Sequence, residues 1–418
     1  MDSLIEFFKL LLLGIIWPFW WIWAPIFLAV FFFKLWLNYS RVMFWKNIDW
    51  VLLEIVPPRE VKQSPKAAES IFAGLWSFHG TVATKVDKYI KGATQEYFTL
   101  EIVGIDGFVH FFIRCPRNRR NHVEAQVYGQ YPNAEIFEAD DYTKKIPHVV
   151  NSPDWDVWGA SLRLDKPDAY PIRTYHDFID VAPIKGDVAF IDPLASLIET
   201  LSKLRPGEQF WIQINCRPVA DDWKNEGVEL IKSMMGNQAP PKVNFLVGIF
   251  KEFAAALGAV VNGDASAGSP AVPKAFLLSE AERNVMKAID RSISKKGFQC
   301  KINIVYLGRK EVFSKTNVGA VMGVLNQFND LNLNGFKTEA DTVTKANYLF
   351  VDQRLNFKKR LIFESSVVRQ FFEKGFVLNT EELATIFHLP AFSVEAPRTP
   401  RIGAKKSGAP SALPIEQF

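Results

Sequence analysis

Cysteine is scarce in this chain. Its 418 residues hold three, Cys115, Cys216 and Cys300, far apart and in no CxxC pair. That spacing excludes a disulfide framework and a cysteine-based zinc site, and reduced thiols of a cytosolic kind are the simpler reading. Net charge is small as well, +4 from 49 Lys and Arg against 45 Asp and Glu. A dedicated nucleic-acid binder carries a clear basic excess, which this chain lacks. The six histidines are dispersed, and His110, inside a predicted strand, reads as a packed or surface residue rather than a ligand.

Catalytic signatures are missing too. GxxxxGK[ST], GxGxxG, HExxH and GxSxG do not occur. The nearest approach to a phosphate loop, GAKKSGAPS at 403–411, has no lysine-serine pair after its second glycine and follows no apolar strand. It reads as linker. Asp140 and Asp141 are adjacent, so they project differently and read as a turn or cap rather than a metal pair. Nothing assembles a nucleophile, a base and an oxyanion site. The expectation is a chain with no enzyme activity, no cofactor and no metal.

What is present begins with an apolar run. Leu10 to Phe33 reads LLLLGIIWPFWWIWAPIFLAVFFF, without a charge. A helix of that length spans roughly 36 Å, enough for a hydrocarbon core of about 30 Å. Leu10, Trp17, Trp20, Trp21, Trp23 and Phe33 mark this candidate membrane anchor. Pro18 and Pro25 fit either one kinked span or a re-entrant hairpin. A cleaved signal peptide fits poorly, because Asp2 and Glu6 precede the run and no A-x-A-like site follows it. Lys34, Arg41 and Lys46 come after it, so the positive-inside rule places the remainder in the cytoplasm, beside a cell membrane crossed once.

Downstream the pattern is α+β. WVLLEIV (50–56) reads as a buried strand, and Ser64-Pro65 opens a helix through about Trp76. YFTLEIV (97–103) and FVHFFIR (108–114) read as strands joined by an Asp106-Gly107 turn. A helix over 119–131 and a strand over 134–138 complete a β-α-β-β-α-β order, the split βαβ or ferredoxin-like unit. A second unit of that order uses strands at 188–191, 208–216, 298–307 and 331–338, with helices at 193–204 and 311–327. The expected organisation is an anchor over 1–45, a first unit over 46–145, a connecting hairpin over 146–180, a second unit over 181–345, lead-in helices over 346–395 and a disordered tail over 396–418.

Residues 218–297 interrupt the second unit as a helical insertion. Its stretch VNFLVGIFKEFAAALGAVV (243–261) fits a helix packed over the sheet, or one lying on the bilayer or in a partner's groove. The run RCPRNRRNH holds Arg114, Arg117, Arg119 and Arg120 where a strand meets a helix. It reads as a solvated basic loop or as an anion or partner contact, DNA included.

These segments resemble, as a set, the N-terminal region of membrane-anchored DNA-transfer ATPases of the type IV secretion and conjugation kind, in the HerA/FtsK-like superfamily. The closest likeness is to versions from small-genome candidate-phylum bacteria. The resemblance rests on DWVLLEI, SPKAAE, FTLEIV, FFIRCP, EAQVYGQYPNAEI, IDPLASLIETLSKLRPGEQFWIQI and LNTEELATIFHLP, and covers about residues 45–390. It implies a non-catalytic anchoring component that meets membrane lipid and forms a homo-oligomer, its P-loop ATPase motor being a separate chain that it recruits or having been lost. In such proteins a segment like LNTEELATIFHLP leads into the motor, so Glu381, Glu382, Leu383 and His388 are the expected motor-docking residues.

Overall fold

The computed structural model describes residues 20–58, 63–80, 84–146, 152–181, 188–190, 192–235, 279–369, 371 and 375–390. In chain order its first elements are α1 (Trp20–Lys46), β1 (Trp50–Val56), α2 (Lys66–Leu75), α3 (Lys85–Tyr89), β2 (Phe98–Ile105), β3 (Phe108–Pro116), α4 (Arg120–Gln130) and β4 (Glu135–Glu138). Then come β5 (Trp155–Leu164), β6 (Ile179–Val181), β7 (Val188–Phe190), α5 (Ala195–Ser202), β8 (Glu208–Pro218), α6 (Trp223–Met234), α7 (Glu280–Ile293) and β9 (Gly297–Arg309). The last are α8 (Lys315–Leu325), β10 (Phe336–Thr338), α9 (Val351–Val368), β11 (Phe376–Asn379) and α10 (Thr380–Ile386).

The chain divides into two compact units, residues 1–50 with 78–96, and residues 51–77 with 97–418. The first is built on α1. Its stretch Ala24–Lys46 is long and apolar enough to cross a membrane, with a mean hydropathy of 1.4. Phe27, Leu28 and Phe32 stand exposed along it, as a lipid-facing helix requires. The helix runs on through Lys34 and Arg41 to Lys46, so charges expected beyond the span lie within the helix. The segment after α3 returns against it. Gly92 takes a φ of 68°, and a Cβ there would meet the Ser40 carbonyl carbon at 2.3 Å, so only glycine fits.

The second unit is a large antiparallel sheet in the order β10-β5-β9-β8-β2-β3-β1-β4, with β11 also on β9. β2 and β3 join through Asp106 and Gly107 at φ 54° and 85°, the left-handed pair that a two-residue hairpin needs. Strands β2, β8 and β9 are buried almost end to end, because side chains on both faces are covered. One face carries Ile102, Leu162, Ile212, Ile214 and Ile302 against α5 and α8. The other carries Val103, Phe112, Val157, Trp211 and Val305 against Ile362 and Phe363 of α9. Cys216 and Cys300 oppose one another across β8 and β9, buried and unbonded, with sulfurs 3.9 Å apart.

One expectation fails here. Residues 155–164, assigned to a connecting hairpin, form β5, paired with β9 from Leu162↔Ile302 to Trp155↔Arg309. Residues 188–190 are a strand, but they pair with β6 in a separate two-stranded sheet. The reason lies in WDVWGASLRL. Its middle is small because α9 crosses it: a Cβ on Gly159 would come within 2.8 Å of Ile362. Small residues there mute the apolar alternation that marks a strand. The stretch 243–261 and the tail 396–418 lie outside the described residues.

Candidate interaction surface

The closing stretch 376–390 is buried throughout. Phe376–Asn379 form β11, extending β9 by pairing Val377 with Gln299. Asn379 then caps α10: its Oδ1 accepts from the N–H groups of Glu381 and Glu382 at 2.8 and 3.0 Å. Glu382 returns the bond, accepting from the Asn379 N–H at 2.9 Å, which completes a capping box. From the end of α10 onward the chain meets two helix pairs, α5 with α8 and then α2 with α4. Ile386 lies among Leu194, Leu197 and Leu325 of one. Phe387 and Leu389 lie among Ala68, Ile71, Phe72 and Val127 of the other.

This geometry corrects the docking expectation. Glu381, Glu382, Leu383 and His388 are 2%, 1%, 0% and 2% exposed, so no partner reaches their side chains in the folded chain. Each has an internal task. Glu381 takes ion pairs from Lys295 and Arg291 at 2.7 and 3.0 Å. Burial opposes its charge, yet hydrogen bonds from Lys295 and Thr174 hold its carboxyl below the ordinary glutamate range. Glu382 accepts from the Ile172 N–H at 2.9 Å. Burial pushes its carboxyl up to about 8 against the backbone donors of Asn379 and Ile172, and the charges of Glu381 and Asp168 add to the rise. His388 donates from Nδ1 to the Ala384 carbonyl at 2.8 Å and places Nε2 3.0 Å from Asp192.

A second buried network lies on the opposite face of the sheet. Arg369, 0% exposed, donates from Nε to Glu101 at 3.0 Å and from a terminal nitrogen to Asp141 at 2.7 Å. Tyr142 donates to Glu101 at 2.6 Å, and Gln213 donates to Tyr142 at 2.8 Å. Burial works against the Arg369 charge, but Glu101, Tyr142 and Asp141 hold it well above the usual range. No sequence signal marks this cluster, because Glu101 and Arg369 meet only through the fold.

The arginine run is likewise occupied. Arg117 reaches both oxygens of Glu138, at 2.6 and 3.1 Å. Arg120 reaches Glu124 and Glu138, each at 2.7 Å. Arg114 is partly buried near Arg369 and Tyr97, and Arg119 sits at the turn into α4. The carboxylates of Glu124 and Glu138 cancel much of the anion attraction read from the sequence. Of the anchor residues, Trp20, Trp21, Trp23 and Phe33 lie on α1, while Leu10 and Trp17 fall outside the described residues.

A cluster of exposed apolar residues lies on α9 and in the segment before it. A cleft of about 380 Å³ runs beside it, lined by Ser161, Lys301, Asp341, Lys358, Leu361 and Val368. Ahead of the cleft, Tyr348, Leu349, Phe350 and Phe357 stand out from the surface. Among the described residues no group of three or more His, Cys, Asp and Glu is arranged to hold a metal ion. The cleft offers apolar contacts together with two lysines, Lys301 and Lys358, and two carboxylates, Asp341 and Glu364. The sequence reading missed it, assigning this region only to lead-in helices.

A comparison with curated proteins finds no match. Residues 45–401 match the family model described as a domain of unknown function, DUF8128. With most of its length matched, the chain belongs to the DUF8128 family.

Proposed function

We propose that this chain is the membrane-anchored, non-catalytic component of a type IV secretion-like or DNA-transfer apparatus. It docks a separate cytoplasmic P-loop ATPase. The observation that carries the reading is the apolar helix Ala24–Lys46 ahead of a large folded sheet unit. The resemblance of residues 45–390 to the anchored half of such machines supplies the apparatus. Lys34, Arg41 and Lys46 on the C-terminal half of α1 support a cytoplasmic sheet unit under the positive-inside rule.

The sheet also supports a finer account of the fold. The strands β4-β1-β3-β2 and β10-β5-β9-β8 each run in the order fourth, first, third, second. Each set carries two crossover helices that pack together, α2 with α4 and α5 with α8. This order supports reading the sheet as two ferredoxin-like units side by side, with β2 of one paired to β8 of the other. In this account β5, not residues 188–191, opens the second unit.

A direct nucleic-acid receptor is the weaker reading, since Glu138 and Glu124 occupy Arg117 and Arg120. The test is affinity purification of the full-length chain from its native membranes in mild detergent, with co-purifying proteins identified by mass spectrometry. A P-loop ATPase recovered in comparable amount supports the proposal. Recovery of this chain alone, or ATP hydrolysis by the purified chain, overturns it.

A further inference from the structure

The segment leading into α9 places three large side chains in solvent. Tyr348, Leu349 and Phe350 are 85%, 79% and 72% exposed. Their backbone is unusual as well. Tyr348 and Phe350 have φ of 68° and 56°, a left-handed conformation that bulky residues seldom adopt. Phe350 also occupies the N-cap of α9 without a side-chain bond to the helix, where Ser, Thr, Asp or Asn is the favoured choice. Neither helix capping nor core packing accounts for these residues. Arg354 braces the hook instead: its guanidinium donates to the Asn347 carbonyl and its N–H to the Phe350 carbonyl, at 3.1 and 3.0 Å.

The surroundings carry more cations than acids, with Asp341 and Glu364 flanking the basic run. Between residues 345 and 361 the chain carries Lys345, Arg354, Lys358, Lys359 and Arg360 against one acid, Asp352. Only Lys359 is drawn inward, to Asp156. Lys358 reaches a carbonyl, that of Ala340, and Arg360 stands 3.8 Å from exposed Glu364. The apolar surface continues down the helix through Phe357 and Leu361. An aromatic-aliphatic tip with a basic collar complements an anionic lipid surface. Tyrosine suits the headgroup level, Leu and Phe suit the acyl boundary, and Lys and Arg meet phosphates.

We infer that the hook Tyr348-Leu349-Phe350 inserts into the interface of an anionic bilayer, with Lys345, Arg354, Lys358 and Arg360 on the headgroups. This second membrane contact goes beyond the docking role and rests on the anchoring reading alone. The helix Ala24–Lys46 keeps a bilayer within reach of the same chain. Such a contact holds the sheet unit at the membrane rather than leaving it on a free tether.

The test uses the full chain reconstituted into vesicles of phosphatidylcholine, with or without phosphatidylglycerol. Leu349→Cys is labelled with an environment-sensitive fluorophore; the native cysteines are buried and stay unlabelled. With phosphatidylglycerol present, the label emits as in an apolar medium and is quenched by lipids carrying a spin label near the headgroup. A label at exposed Lys203→Cys does neither. Lys345→Gln and Lys358→Gln each lower the insertion equilibrium about fivefold. Water-like emission at 349 in both lipids overturns the inference. So does apolar emission that rises with protein density and escapes the lipid quencher, which marks contact between copies. Alkaline extraction of the same vesicles reads the anchor separately. A chain retained in the pellet with a water-exposed label refutes the hook alone, and a released chain refutes the anchor with it.

Discussion

A guanidinium inside a protein stays charged only where carboxylates compensate its lost hydration. Arg369 has Glu101 and Asp141. Arg369→Met leaves Glu101 buried without its cation, and stability is expected to fall by about 3–5 kcal/mol in denaturant titration. Replacing Glu101 by Gln in the same chain recovers part of that loss, because the fully buried charge is gone and only the partly exposed Asp141 has lost its cation. Glu382 gives a pH effect of known sign. Its folded carboxyl titrates near 8 against an ordinary 4.5, so its contribution is complete below pH 4.5 and is lost as pH rises toward 8. The slope is at most about 1.4 kcal/mol per pH unit. The difference in melting temperature between wild type and Glu382→Gln should therefore change steadily between pH 5 and about 8. A constant difference contradicts the assignment. The sequence displayed these residues but not their burial. Glu381-Glu382 at a helix start reads as solvated first-turn charge, and only the fold brings Lys295 and Arg291 to meet it.

At the scale of elements, the segment β11-α10 and the extended residues after it close the core. Phe387 rings against Phe72 and Phe111 at centroid distances of 6.4 and 6.0 Å. Phe387→Ala is expected to cost about 3–5 kcal/mol in chemical denaturation, and Asn379→Ala about 0.5–2 kcal/mol through its lost cap. If both fall within experimental error of wild type, this segment is a removable appendage. The cap itself was legible: Asn379 followed three residues later by Glu382 is a capping signature. Its destination was not, because a buried strap and an exposed lead-in share the same local pattern. Strand β5 shows the converse. It was hidden because Gly159 and Ser161 lie against α9, which is some two hundred residues further along the chain.

At the scale of the molecule, the apolar helix and the α+β character could be read from hydropathy and alternation. The joining of two strand sets at β2 and β8 could not, since that pairing of Phe98–Ile105 with Gln209–Cys216 is entirely non-local. The central proposal is that α1 anchors this chain in a membrane and leaves the sheet unit on the cytoplasmic side. The most direct measurement is protease digestion of sealed, inside-out and right-side-out membrane vesicles containing the full chain, with alkaline extraction of a parallel sample. The chain is expected to stay in the pellet and to be cleaved downstream of residue 46 only in inside-out vesicles. Release by alkali, or cleavage of that region only in right-side-out vesicles, would contradict it.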